Sequence, residues 1–200
     1  LVEMSLNITN EKLESVCDNY KMSANSLFLG CYFLAMYKQI KQKSLCVSWI
    51  YNGRDSSLTE DSIGLMINLL FVNCDIDENM TISEYMSYIK KGVDESLSRS
   101  SYNGYAIQNL LDDPIGCFQY QSFEECKFTD IVNKRIELPN PLFEPAFFWE
   151  VEVVNEIEDV MVRCLYNNNY YKNETAYLFV ENYKNVVNSI VNGKGKIKDV

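Results

Sequence analysis

Histidine is absent from all 200 residues, so the side chain that most often moves protons near neutral pH is unavailable anywhere in this chain. Thiols, carboxylates and one unusual polar stretch remain. The cysteines, Cys17, Cys31, Cys46, Cys74, Cys117, Cys126 and Cys164, are odd in number, scattered, and mostly set in apolar runs. That distribution predicts reduced core thiols in a cytoplasmic protein rather than a disulfide framework. Cys74, at the end of a strand-like run, looks the most accessible, but Asp75 beside it disfavours the thiolate a nucleophile needs. Without histidine or a C-x-x-C pair, a metal would have to rely on carboxylates. Asp75-Ile76-Asp77-Glu78 opens like a calcium loop but lacks the glycine and closing glutamate at their required spacing, so it reads as a solvated turn. Asp112-Asp113 before Pro114 reads as a helix-ending turn, and no glycine-rich phosphate loop is present.

The unusual stretch is residues 50–72, I-Y-N-G-R-D-S-S-L-T-E-D-S-I-G-L-M-I-N-L-L-F-V. A strand-like run ends in Asn52-Gly53-Arg54, a polar segment follows, and Ser62-Ile63-Gly64-Leu65-Met66-Ile67-Asn68 leads into a second apolar strand. On structural grounds Arg54 would be a buried, charge-assisted anchor, Gly64 a close-approach position, and Asn68 a cap for nearby backbone.

The elements that must position these residues follow from hydrophobic periodicity. At 47% hydrophobic and 13% aromatic, the chain can bury a sizeable core, which predicts one domain or one large lobe of a bigger one. A short apolar lead through Leu6 and Ile8 precedes a helix capped by Thr9 or Asn10, with Leu13, Val16, Cys17 and Tyr20 on one face. Residues 26–40 are apolar on nearly every side and predict a central helix covered all round by protein. Strands are expected over 45–51 and 69–76. Thr81-Ile82-Ser83-Glu84 is a capping box before an amphipathic helix carrying Tyr85, Met86, Ile89, Val93 and Leu97. A short helix over 105–111, a strand over 115–121, a long loop over 124–145, antiparallel strands over 147–154 and 159–166, and a final helix over 175–191 complete the series. Interleaved strands and helices predict an α/β or α+β fold, a mixed sheet with packed helices.

Charge and hydropathy exclude several functions. With 18 basic and 28 acidic residues the net charge is −10, which repels phosphate backbones and argues against nucleic acid. The basic runs 38–43 and 194–198 read as a helix end and a solvated tail. The longest apolar run, residues 27–37, falls short of the ~20 residues a membrane span needs, and no export signal opens the chain. The N-x-T triplets at Asn7, Asn79 and Asn173 each sit where a helix should begin, so capping accounts for them better than glycosylation. The chain starts at Leu1 and drops at once into a strand-then-helix pattern, as a piece of something longer would.

Residues 50–72 resemble the C-terminal lobe of condensation domains of nonribosomal peptide synthetases. There a strand ends in Asn-Arg or Gly-Arg, and a segment like Ile-Gly-Phe-Phe-Val-Asn-Thr follows. The likeness extends over roughly residues 6–191. Residues 26–37 occupy the place of the family's long apolar helix, Ile115-Gly116-Cys117-Phe118-Gln119-Tyr120-Gln121 is similar to its strand F-Q-V-L-F-N-Y-Q, and Cys164-Leu165-Tyr166-Asn167 is similar to its ending. Residues 98–108 do not match the family's His-Gln-Asp-x-Pro-Phe-Glu motif, and its Arg-Asp-x-Ser-Arg-Asn-Pro-Leu motif is reduced to Asp113-Pro114-Ile115.

The resemblance implies a chloramphenicol-acetyltransferase-like lobe that is silent alone. The family's His-His-x-x-x-Asp-Gly motif belongs to the preceding N-terminal lobe, which would be this chain's partner. Together the lobes would form a tunnel for phosphopantetheine-tethered substrates delivered by carrier proteins, with Asn52, Gly53, Arg54, Gly64 and Asn68 as supports or lining. An apolar patch on the sheet face that meets the other lobe is expected. Two other readings are a non-catalytic module that binds a carrier protein or partner subunit, and the matching lobe of a CoA-dependent acyltransferase.

Overall fold

A helix without a polar side needs neighbours all round, and α2 (Ala24–Ile40) has them: residues 26–36 are all buried. The structure is a computed structural model and describes residues 1–54, 57, 59, 62–108, 116–122, 149–155, 159–193 and 195–200. The chain runs β1 (Val2–Ser5), α1 (Asn10–Tyr20), α2, β2 (Ser44–Tyr51), β3 (Asn68–Asp75), α3 (Ile82–Leu97), α4 (Gly104–Gln108), β4 (Cys117–Ser122), β5 (Trp149–Asn155), β6 (Val160–Tyr166) and α5 (Asn173–Asn192), then a 3₁₀ turn, Ile197–Asp199. This is the expected α/β architecture. The expected long loop over 124–145, Cys126 and the Asp112-Asp113-Pro114 turn lie outside the described residues.

The strands form one mixed sheet in the order β1-β6-β5-β4-β2-β3. β4 lies parallel to both its neighbours, β2 and β5, and every other pair is antiparallel. α2 packs on β4 and β2, α5 on β1 and β6, and α3 on β3. Alternation along each strand sends Val47, Trp49, Phe118, Val151, Val153, Val162 and Cys164 into the same core as Phe28, Tyr32 and Phe179. The aromatic rings meet at angles that suit their quadrupoles: Phe179 stands edge-on to Tyr32 at 5.8 Å and to Trp149 at 5.2 Å. Two buried tyrosines tie flanking helices to α2, with Tyr85 Oη donating to the Gly30 carbonyl and Tyr183 Oη to that of Phe28, each at 2.9 Å.

Among the described residues, the second face of the sheet carries a charged row where an apolar patch is expected. Arg163, only 9% exposed, stands between Glu3 and Glu152 on the neighbouring strands, 3.3 and 3.9 Å from their carboxylates. Ser48, Cys117 and Val154 are fully buried. A charged residue at an outward position of V-M-V-R-C-L-Y is the signal for this row, since a strand lining an apolar interface would keep its alternate positions neutral.

Helix ends follow the sequence closely. Thr9 caps α1 and Thr81 caps α3, where Glu84 completes the box by accepting from the Thr81 N–H at 2.8 Å. Asn173 departs from the capping expectation: α5 has no side-chain cap, and Asn173 Oδ1 instead accepts from Tyr166 Oη at 2.8 Å. The basic tail departs too. Ile197 is 5% exposed, its N–H donates to the Met80 carbonyl, and Lys196 bridges to Thr81, so a buried isoleucine turns the run into a docked segment.

Candidate functional site

At the end of β2 the chain turns out of the sheet and returns as β3, with Tyr51 opposite Asn68 in register. All five singled-out residues lie on this excursion. The turn is built by Asn52, whose Oδ1 accepts the Arg54 N–H at 3.1 Å. Gly53 has φ +65°, and a Cβ there would lie 2.1 Å from the Met66 carbonyl oxygen, so only glycine lets the outgoing and returning backbones pass.

Arg54 then folds over its own loop. Nη1 donates to the carbonyls of Thr59 (2.8 Å) and Ser62 (2.7 Å), and Nη2 to that of Gly64 (3.2 Å). The planar guanidinium suits this role, because a fork of rigid donors can collect several carbonyls at once. Arg54 is exposed rather than buried: its ligands are backbone carbonyls of a surface loop. Gly64 supplies one of them. A Cβ on it would meet nothing nearer than Met66 Cε at 3.5 Å, ordinary contact, so close approach occurs at Gly53 instead.

Asn68 uses its whole amide. Nδ2 donates to the carbonyls of Ser100 (2.9 Å) and Tyr102 (2.7 Å), while Oδ1 accepts the N–H groups of Leu69 (2.9 Å) and Gly104 (3.0 Å). This clip joins the start of β3 to the turn between α3 and α4. Ser100, Tyr102 and Gly104 escape sequence reasoning because they contribute backbone atoms more than thirty positions away. The Asn103-Gly104 pair, a turn signal, is the one visible hint.

Between loop and turn lies an open groove of about 540 Å³, lined by Tyr51, Leu65, Met66, Ile67, Tyr102 and Tyr105, with Asn68 and Asn103 at its polar points. None of its lining side chains is charged. Such a surface can hold neutral or apolar matter but has no group suited to proton transfer near neutrality.

Among the described residues, the buried cysteines offer no nucleophile. Cys74 is fully buried, contrary to its accessible look, and burial more than neighbouring Asp75 pushes its thiol up to about 12. Burial does the same for Cys117 and Cys164, each to about 12, and raises Cys31 further. The described cysteines are all free thiols, and no group of carboxylates and thiols able to hold a metal occurs among the described residues. Asp77 and Glu78 are tied into their turn, Glu78 accepting from Tyr37 Oη at 2.6 Å and Lys43 Nζ at 3.1 Å. Among the described residues, no helix is long and apolar enough to cross a membrane.

Among the described residues, a six-stranded mixed sheet carrying a buried central helix, with a clasped excursion beside it, defines the fold against which known proteins compare. The chain matches the Condensation domain family over residues 3–198 and belongs to that family. It is similar to surfactin synthase subunit 1 of Bacillus subtilis, 24% identical over 103 residues that make up 52% of this chain and 3% of that protein. Its fold is similar to the condensation domain from Monacolin K polyketide synthase, at a TM-score of 0.83 and 13% identity, covering 98% of this chain and 48% of that one. A four-domain nonribosomal peptide synthetase bound to AMP and glycine is also similar, at a TM-score of 0.80 and 13% identity, covering 100% of this chain and 17% of that one. The chain thus spans about half of the solved condensation domain, and a small part of the synthetases it matches.

Proposed function

We propose that this chain is the C-terminal lobe of a nonribosomal peptide synthetase condensation domain, forming half of a substrate tunnel and part of a carrier-protein docking surface. The observation that carries this reading is one of proportion: essentially the whole chain is matched, yet it fills only 48% of a condensation domain, and it contains no histidine. A C-terminal lobe has both properties, because the family's His-His-x-x-x-Asp-Gly motif lies in the other lobe.

In the complete enzyme the acceptor amine, tethered through phosphopantetheine to one carrier protein, attacks the thioester carbonyl of a donor tethered to another. The C–N bond forms, the C–S bond breaks, the amine gives up a proton, and the departing pantetheine sulfur leaves as a thiol. The histidine of the other lobe serves the attack. Here the role of Asn52, Gly53, Arg54, Gly64 and Asn68 is to shape one wall, since their polar groups are spent on backbone.

The test is to read the coding sequence ahead of Leu1 and to assay both forms. A preceding lobe with the His-His-x-x-x-Asp-Gly motif, amide formation by the two lobes together, and no turnover by this chain alone are the expected results. A start codon immediately before Leu1, or robust turnover by this chain alone, would overturn the reading. Acyl transfer from free CoA thioesters by the joined lobes would assign the enzyme to the CoA-dependent acyltransferases instead.

A further inference from the structure

Asparagine followed by glycine occurs three times in the chain, at Asn52-Gly53, Asn103-Gly104 and Asn192-Gly193. Such a pair is chemically labile, because a glycine without Cβ lets its backbone nitrogen reach the side-chain carbonyl carbon of the asparagine before it. The reaction needs an unengaged backbone N–H and an asparagine side chain with room to close on it. The fold meets these needs unequally.

At Asn103-Gly104 both partners are engaged. The Gly104 N–H donates to Asn68 Oδ1 at 3.0 Å, Gly104 is buried, and Asn103 Oδ1 accepts the Ala106 N–H at 3.2 Å. At Asn192-Gly193 the nucleophile is held, since the Gly193 N–H closes α5 on the Ser189 carbonyl at 3.1 Å. Asn52-Gly53 differs from both. Asn52 is exposed, and among the described residues no acceptor takes the Gly53 N–H. What the pair does receive is the Arg54 N–H, on Asn52 Oδ1 at 3.1 Å. A donor on that oxygen draws charge from the carbonyl carbon and stabilises the oxyanion that attack creates. The contact that shapes the turn therefore also primes the amide.

We infer that Asn52-Gly53 is a site of spontaneous deamidation, the fastest of the three asparagine-glycine pairs in the folded chain. The Gly53 nitrogen gives its proton to solvent base and forms a C–N bond to Cγ of Asn52. The Cγ–Nδ2 bond breaks and ammonia leaves. Water then opens the five-membered imide at either carbonyl, giving aspartate or isoaspartate, so that one amide and one water become one carboxylate and one ammonium ion. In the isoaspartate product the main chain is one methylene longer, just where Gly53 passes the Met66 carbonyl and before Arg54 gathers the carbonyls of Thr59, Ser62 and Gly64. The clasp on the loop loosens as a result. Either product also sets a negative charge beside Tyr51 and Gly53, which belong to a groove with no charged lining. None of this depends on the lobe assignment.

The experiment ages the folded chain at pH 8 and follows each asparagine-glycine pair by peptide mass spectrometry, which reads conversion of amide to acid directly. Conversion at Asn52 is expected to run about tenfold or more ahead of Asn103 and Asn192, each of which must first open a hydrogen-bonded segment. In urea, where the fold no longer holds any of them, the three rates should converge. Asn52→Ser keeps an oxygen for the Arg54 N–H but has no amide to lose, so it should abolish the fast phase and leave the two slow ones unchanged. Anion exchange separates the aged product by its added charge, and its backbone hydrogen exchange over residues 62–64 should be faster than that of the unaged chain. Equal rates at the three pairs in the folded chain would overturn the inference. An unchanged order in urea would do the same, by making local sequence rather than the fold the cause. Unaltered hydrogen exchange in the isoaspartate product would sink the loosening of the clasp.

Discussion

The side-chain oxygen of Asn68 accepts the backbone N–H of Gly104 at 3.0 Å, and a methyl group on Gly104 would lie 1.8 Å from the carbonyl oxygen of Leu69, the residue next to Asn68. The start of β3 and the start of α4 therefore meet backbone to backbone, with the amide of Asn68 bridging them. The expected cost of Gly104→Ala is about 1–3 kcal/mol, because two stretches of main chain must separate. Asn68→Ala should cost a similar ~1–3 kcal/mol by stranding partly buried carbonyls and N–H groups. Asn68→Asp should be no better, since it removes both donors and aims a carboxylate at the carbonyls of Ser100 and Tyr102. Urea unfolding checks all three: the midpoint should fall with little change in slope.

Tyr85 and Tyr183 offer a second test. Each donates from a fully buried hydroxyl to a carbonyl of α2 that is also part of the helix ladder. Tyr85→Phe and Tyr183→Phe should each cost about 0.5–1.5 kcal/mol, the net worth of one buried hydrogen bond. They reach different carbonyls from different helices, so the double variant should show close to the sum of the two losses in a denaturant titration. A coupling well beyond experimental error would mean that the two hydroxyls report on one shared rearrangement of α2.

The buried thiols contribute to the alkaline limit of stability. In the folded chain Cys74, Cys117 and Cys164 are each raised by burial from 9.0 to about 12, whereas in the unfolded chain they ionise near the lower value. The unfolded state therefore loses its thiol protons first as pH rises. The stabilisation from keeping them neutral is complete below about pH 9 and is lost progressively towards pH 12. Stability measured by denaturant titration should be flat with respect to these groups at neutral pH and decline through that window. In a matching labelling experiment at pH 8, Cys31, Cys74, Cys117 and Cys164 should resist an aromatic disulfide reagent until the chain unfolds, while the partly accessible Cys17 and Cys46 react slowly.

Local signals gave most of the elements. Thr81 and Glu84 stand at capping-box spacing, and both bonds of the box form. The all-round apolarity of residues 26–36 announces a covered helix, and the sheet covers it. What escaped were relations between backbone atoms distant in sequence. Nothing in the letters at Ser100 or Tyr102 reveals that their carbonyls serve Asn68, because any residue supplies a carbonyl. Arg54 was legible as an anchor by residue type, but its exposure was not, since that depends on whether the carbonyls it collects lie inside the fold or on a loop. The buried tail at Ile197 was hidden by lysines on either side, whose long stems leave room for one apolar side chain to turn inward.

Strand β1 finds its sheet partner in β6, where Val2 stands opposite Cys164. That pairing joins residues far apart in sequence, so this edge of the sheet can close only after β6 has been made. A contact so distant carries a large loop-closure cost, and until β1 docks, β6 presents an open edge. Any attempt to trim the chain from its beginning would expose that edge for good, turning a strand interior to the sheet into a template for aggregation.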